Sequence, residues 1–182
     1  MAIWQYRLIL IPEAVLLEKY DALPLSIPME LAEDFAWWSD VQPEAGFERK
    51  IDLILQPMES WSENMRMWGQ KHEDDAYVCY VNESKKIVEE ISFRVDARTI
   101  SLEVVRRICR FATDMECVLL TSEYEILAPD EAMVLANLNR STAKRFVEDP
   151  VTTLLGLDQR KMRERIDHIT KNLGDIPPKQ TS

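Results

Sequence analysis

Between Asp75 and Pro129 the spacing of apolar residues changes from alternation to a helical repeat and back, and the change marks out a complete supersecondary unit. Ala76-Tyr-Val-Cys-Tyr-Val81 is rich in β-branched and aromatic residues, and the polar Asn82 to Lys86 follows as a loop, so the spacing predicts a hairpin. In its second arm Ile87, Ile91, Phe93 and Val95 stand on one side against Glu90, Ser92, Arg94 and Asp96, which predicts one buried and one wet face; Glu89 falls out of phase with the buried set. Ser101 has N-cap chemistry, and Val104, Val105, Ile108, Phe111, Ala112 and Met115 recur at helical spacing, with Arg106, Arg107 and Arg110 on the opposite face. The runs 117–121 and 124–128, joined across Ser122-Glu123, predict a second hairpin, although Ser-Glu is not a strong turn pair.

Ahead of this unit, residues 3–11 alternate through Trp4, Tyr6, Leu8 and Leu10 until Ile9 and Ile11 make both sides apolar, as in a central strand. Pro12 is placed to open a helix through Glu13 to Tyr20, Pro28 another through Met29, Leu31, Ala32, Phe35 and Trp38, and Phe47 to Leu55 carries a short helical stripe that stops before Pro57. The stretch 60–69 reads either as a helix with Trp61, Met65 and Trp68 on one side or as a packed loop that caps the sheet edge. After Pro129 the chain reads as helices, with starts at Asp130, Ser141 and Asp149, then a charged helix over 157–173 stopped by Gly174, and a disordered tail over 175–182.

These elements predict a single α+β domain over 1–174. Its sheet is mainly antiparallel with split βαβ, ferredoxin-like character, helices lie on one face, and extra helices follow at the C-terminus. The expected core includes Leu8, Leu10, Ile91, Phe93, Val105, Ile108, Ala112 and Leu119.

Composition narrows the function classes. A net charge of −10 disfavours a phosphate-backbone partner, because nucleic-acid affinity comes largely from Lys and Arg. The acidity is regional: residues 13–90 hold 18 Asp and Glu against 7 Lys and Arg, whereas residues 157–182 hold 4 against 6. Cys79, Cys109 and Cys117 sit among apolar neighbours without metal-ligand spacing, which reads as core thiols in a reducing compartment, so a cytoplasmic location is expected. No apolar run approaches the roughly 20 residues that span a bilayer, so no membrane partner is expected. Chemistry is scarce. His72 leads into an acidic run that cannot converge on one ion, His168 lies on the charged last helix, and no glycine-rich phosphate loop exists. No catalytic residue, metal or cofactor is therefore expected, and the paired Glu89-Glu90 and the arginine face of the central helix read as solvated charges.

Ser60-Trp61-Ser62, Met67-Trp68-Gly69, the strand Phe93-Arg94-Val95-Asp96-Ala97-Arg98, and Ser141-Thr142-Ala143 with Phe146 and Asp149-Pro150 are similar to a set of small, uncharacterised bacterial proteins. Over Ser60 to Leu155 the chain resembles the acidic immunity-type proteins encoded beside bacterial toxins. That resemblance implies a non-enzymatic protein that neutralises a cognate toxin by binding it, and it carries no functional residue across. From the residues themselves, Trp37 and Trp38 beside Asp40, and Trp61 and Trp68 ahead of Glu73, Asp74 and Asp75, set indoles next to carboxylates, the anatomy of a protein interface with a basic partner. Burial of the indoles in the core competes with this reading. The alternative function is a small-molecule-binding or enzymatic α+β domain with a pocket between sheet and helices.

Overall fold

The computed structural model describes residues 2–34, 36–82, 84 and 87–157, of which Glu33 and Asp34 are described by backbone alone. In chain order the elements are β1 (Gln5–Pro12), α1 (Glu13–Tyr20), α2 (Met29–Asp34), α3 (Glu48–Asp52), β2 (Pro57–Met58), β3 (Met65–Gly69), β4 (Asp75–Tyr80), β5 (Val88–Asp96), α4 (Leu102–Asp114), β6 (Cys117–Thr121), β7 (Ile126–Leu127), α5 (Glu131–Arg140) and α6 (Thr142–Glu148). Residues 150–157 are helical as well. The expected helix over 157–173, with His168, and the tail over 175–182 lie beyond the described residues apart from Leu157; Phe35 also lies outside them.

The molecule is α+β, built on one seven-stranded antiparallel sheet in the order β2-β3-β4-β5-β1-β6-β7. Because β5 and β6 both run antiparallel to β1 and flank it, they are parallel to each other, and α4 is the crossover between them. The six-element ferredoxin-like order is not reproduced as such: between β1 and β4 the chain inserts three helices, the edge strand β2 and its neighbour β3. The stretch 60–69, expected as helix or packed loop, yields β3. Its successive residues Met67 and Trp68 are both buried, on opposite sides of the sheet, and so obey neither period.

Pairing of Leu8 with Phe93, and of Phe93 with Ala76, puts Tyr6, Leu8, Leu10, Ala76, Val78, Ile91, Phe93, Val95 and Leu119 on one face. Helices cover that face. Phe111 of α4 meets Phe93 edge-on at 5.7 Å, the Tyr6 hydroxyl donates to Asn137 Oδ1 of α5 at 2.8 Å, and Trp68 Nε1 donates to Asp52 Oδ1 of α3 at 2.7 Å. All eight expected core residues are buried here. The register of β5 against β4 shifts between Cys79 and Tyr80, so Cys79 faces Glu90 while Tyr80 faces Val88. Glu89 is the extra residue of this bulge, which explains why it broke the alternation, and Val88 takes the buried place expected of Ile87.

The caps follow side-chain chemistry. Ser101 Oγ accepts from Val104 N, Asp130 from Met133 N, Ser141 from Lys144 N and Asp149 from Thr152 N, each satisfying a donor the first turn leaves open. The β6–β7 hairpin is wider than Ser122-Glu123 alone: Tyr124 adopts φ 63° and Thr121 Oγ1 accepts from the amides of Glu123 and Glu125. No helix among the described residues is long and apolar enough to cross a membrane.

Candidate functional site

The sheet face away from α4 carries the polar members of the same strands. Register brings Gln5 opposite Asp96, Arg7 opposite Arg94, and Arg94 opposite Asp75, with Tyr77 opposite Ser92. Like charges directly opposite destabilise a sheet unless each is compensated. Here both are: Arg94 Nε donates to Asp75 Oδ1 at 2.5 Å, and Arg7 Nη2 donates to Glu90 Oε1 at 2.6 Å. Both guanidinium carbons lie over the Tyr77 ring, that of Arg7 5.8 Å and that of Arg94 5.2 Å from its centroid. Gln5 Nε2 donates to the other Asp75 oxygen at 3.1 Å, and Arg7 Nε donates to Ser92 Oγ at 3.2 Å. Burial pushes the Asp75 carboxyl up, more than its bonds to Arg94 and Gln5 pull it down. The expectation that β5 has one wet face is thus corrected: Ser92 and Asp96 are buried, with Ser92 Oγ accepting from Arg7 of β1 and the Asp96 carboxylate accepting from Arg98 just past the strand.

This strip ends in a cleft of about 340 Å³ beside the β3–β4 turn. Met58 and Met67 line it apolar, Arg94 and Asp75 close its inner end, and Trp61, Lys71 and His72 stand at its mouth. The turn is rigidly built. Gly69 takes φ 93° and its amide donates to Gln56 O at 2.7 Å, while His72, at φ 70°, turns its carbonyl to accept from Trp4 Nε1 at 3.1 Å and Arg98 Nη2 at 2.8 Å. Asp74 Oδ1 accepts from Asp96 N at 2.7 Å, which ties the turn to the end of β5. A second cleft, of about 410 Å³, opens past Arg7 and Glu90 toward Leu120, Tyr124 and Ala32 of α2.

The eight residues expected to form a partner surface separate. Trp37, Trp38 and Trp68 are only 4%, 2% and 2% exposed and belong to the core, so their assignment to a partner surface is corrected. Trp38 Nε1 donates to Leu10 O at 3.1 Å, which makes that indole part of the join between β1 and the 37–42 segment. Asp75 is likewise buried and committed to Arg94. Asp74 is half-buried, whereas Asp40 and Glu73 are exposed. Trp61 alone of the four indoles is at the surface, 78% exposed. Sequence reasoning missed Arg94, Lys71, Met58 and Met67 as its neighbours; only the β2–β3–β4–β5 pairing brings them together.

Elsewhere the charges pair off. Arg106 bridges Glu103 and Glu131, and Arg107 pairs with Glu103, so the arginine face of α4 is a solvated ion-pair surface. Among the described residues no three His, Cys, Asp or Glu side chains are grouped to hold a metal ion. Burial pushes the thiols of Cys79 and Cys109 up to about 11 and that of Cys117 to about 12, far from a nucleophile's range. No protein-family model, curated protein or solved structure matches this chain.

Proposed function

We propose that this chain is a binding protein that docks a basic protein partner on the side of its sheet away from α4, in the manner of an immunity protein that neutralises a toxin in the cytoplasm. The observation that carries the reading is Trp61, a large indole 78% exposed beside a ready-formed cleft. Tryptophan is the residue type most enriched among the few side chains that dominate binding energy, and such anchors sit next to pockets inside a polar rim. The rim here is acidic. Glu59, Glu63 and Glu73 are all exposed around the cleft and the hairpin beside it, within a chain of net charge −10. Opposite charge on a partner would speed encounter, and the indole would hold the complex once formed.

The two contributions separate kinetically. With the product of a neighbouring toxin gene as ligand, Trp61→Ala should raise the dissociation rate by about tenfold or more, equivalent to roughly 1.4 kcal/mol. Joint replacement of Glu59, Glu63 and Glu73 by Lys should instead slow association and flatten its salt dependence. Association and dissociation rates untouched by both sets of substitutions would move the partner surface elsewhere.

A further inference from the structure

We propose that the Trp61 cleft recognises a carboxylate borne on an aromatic body, presented either as a free aromatic acid or as the C-terminal aromatic residue of a chain. This rests on the reading of the cleft as a recognition site and names what enters it. The inner end decides the sign of the ligand's charge. Asp75 and Arg94 both lie there, but the Asp75 side chain is 3% exposed against 15% for Arg94. Both Asp75 oxygens are already engaged, one by Arg94 Nε and one by Gln5 Nε2. The Arg94 guanidinium is held through Nε and by a cation–π contact with Tyr77, its carbon 5.2 Å from the ring centroid, and its Nη groups have no acceptor among the described residues. A guanidinium fixed on two sides with its terminal nitrogens open is preorganised for a carboxylate. Lys71, exposed at the mouth and without an ion pair among the described residues, adds a second cation on the way in and offsets Glu59, the exposed carboxylate that also lines the cleft.

Size and lining decide the body. A cleft of about 340 Å³ lies at the small end of ligand sites and takes one ring system. The thioethers of Met58 and Met67 and the face of Trp61 favour an aromatic ring over an aliphatic chain, because sulfur and indole both make specific contacts with π-systems. A single charge suits the site better than a phosphate dianion, since the chain's net charge of −10 repels anions in proportion to their charge.

The test uses the full chain, ¹⁵N-labelled, and follows the indole N–H signals of its five tryptophans, with that of Trp61 assigned by its loss in Trp61→Phe. Titration with 3-phenylpropionate should move the Trp61 signal saturably and leave the buried Trp38 and Trp68 signals in place, while 3-phenylpropylamine, the same body with opposite charge, should not. Lys71→Gln, at an exposed position that leaves the fold intact, should weaken phenylpropionate binding severalfold, and Arg94→Lys should weaken it further. A short peptide ending in Phe, compared as free acid and as amide, distinguishes the sources: acid-only binding of the peptide points to a chain terminus, and binding of phenylpropionate without the peptide points to a free acid. Equal shifts from the acid and the amine, or no saturable shift up to the solubility limit of the acid, would overturn the proposal. If phenylpropionate fails while Trp61→Ala still weakens a protein partner, docking stands without this ligand. If phenylpropionate binds and the partner ignores Trp61→Ala, the ligand site stands without the docking.

Discussion

Replacing each of three indoles by alanine offers a sharp check on which tryptophans hold the fold and which one faces outward. Trp68 is 2% exposed, and a buried indole removes roughly 150–250 Å² from water. At about 25 cal/mol per Å² that is about 4–6 kcal/mol as an upper bound, from which the burial retained by alanine must be subtracted. A cavity adds to the loss, but β3 lies one strand from the sheet edge, where collapse is easier, so Trp68→Ala should cost about 3–4 kcal/mol. Its lost bond to Asp52 adds little, since that carboxylate is exposed and rehydrates. Trp38→Ala should cost more, about 4–5 kcal/mol, because the Leu10 carbonyl it satisfies lies in the interior. Trp61→Ala, at 78% exposure, should stay within about 0.5 kcal/mol of the parent. Urea unfolding followed by far-ultraviolet circular dichroism avoids the fluorescence lost with each indole. With a slope of about 2 kcal/mol per molar urea, the midpoint should fall by about 1.5–2 M for Trp68→Ala, by about 2 M or more for Trp38→Ala, and by under about 0.3 M for Trp61→Ala. A Trp61→Ala midpoint as low as that of Trp68→Ala would refute the separation of surface from core on which the docking site depends.

Two further outcomes follow from the backbone and from the thiols. Gly69→Ala should destabilise by more than about 1 kcal/mol and loosen the β3–β4 turn, because Gly69 has φ 93° and an added Cβ would lie 2.2 Å from Asp74 O; amide exchange at Gln70 and Glu73 would report it. Burial pushes the thiols of Cys79, Cys109 and Cys117 up from the ordinary 9.0 to about 11, 11 and 12, so the folded state disfavours their ionisation. Stability from this source is complete below pH 9 and is lost as the pH rises through those folded values, so the melting temperature should fall between pH 9 and 11 and fall less in Cys117→Ala.

The fold was most legible where one local rule acted alone. α4 announces itself by Ser101 and a clean apolar stripe, and β5 by its alternation, because capping and burial on one side need no knowledge of distant partners. β3 was hidden because Met67 and Trp68 are buried on opposite faces, one against the polar strip and one under α3, so neither period is visible. The candidate site was less legible still. A polar residue in an alternating strand reads as wet, yet Ser92 and Asp96 are buried through partners on β1, on the β3–β4 turn and beyond β5. Such matching depends on strand order and register, which local spacing does not encode. For the indoles, composition marks all four as anchors equally; only the paths of the 37–42 segment and of β3 send Trp37, Trp38 and Trp68 inward.

The two margins of the sheet have a bearing on self-association. β2 is two residues long and begins with Pro57, which has no amide hydrogen to offer, and β7, also two residues long, has its outer side taken by Leu25 to Ile27, whose backbone pairs with Tyr124 to Ile126. An edge this short or already occupied gives a neighbouring chain no ladder to extend. Growth of the sheet from molecule to molecule, the first step toward fibrils, is therefore blocked at both ends, and the long strands β1 and β5 that could template it are sealed in the middle. A chain crowded at high concentration can then keep a half-open polar sheet face free for recognition without that face becoming a route to aggregation.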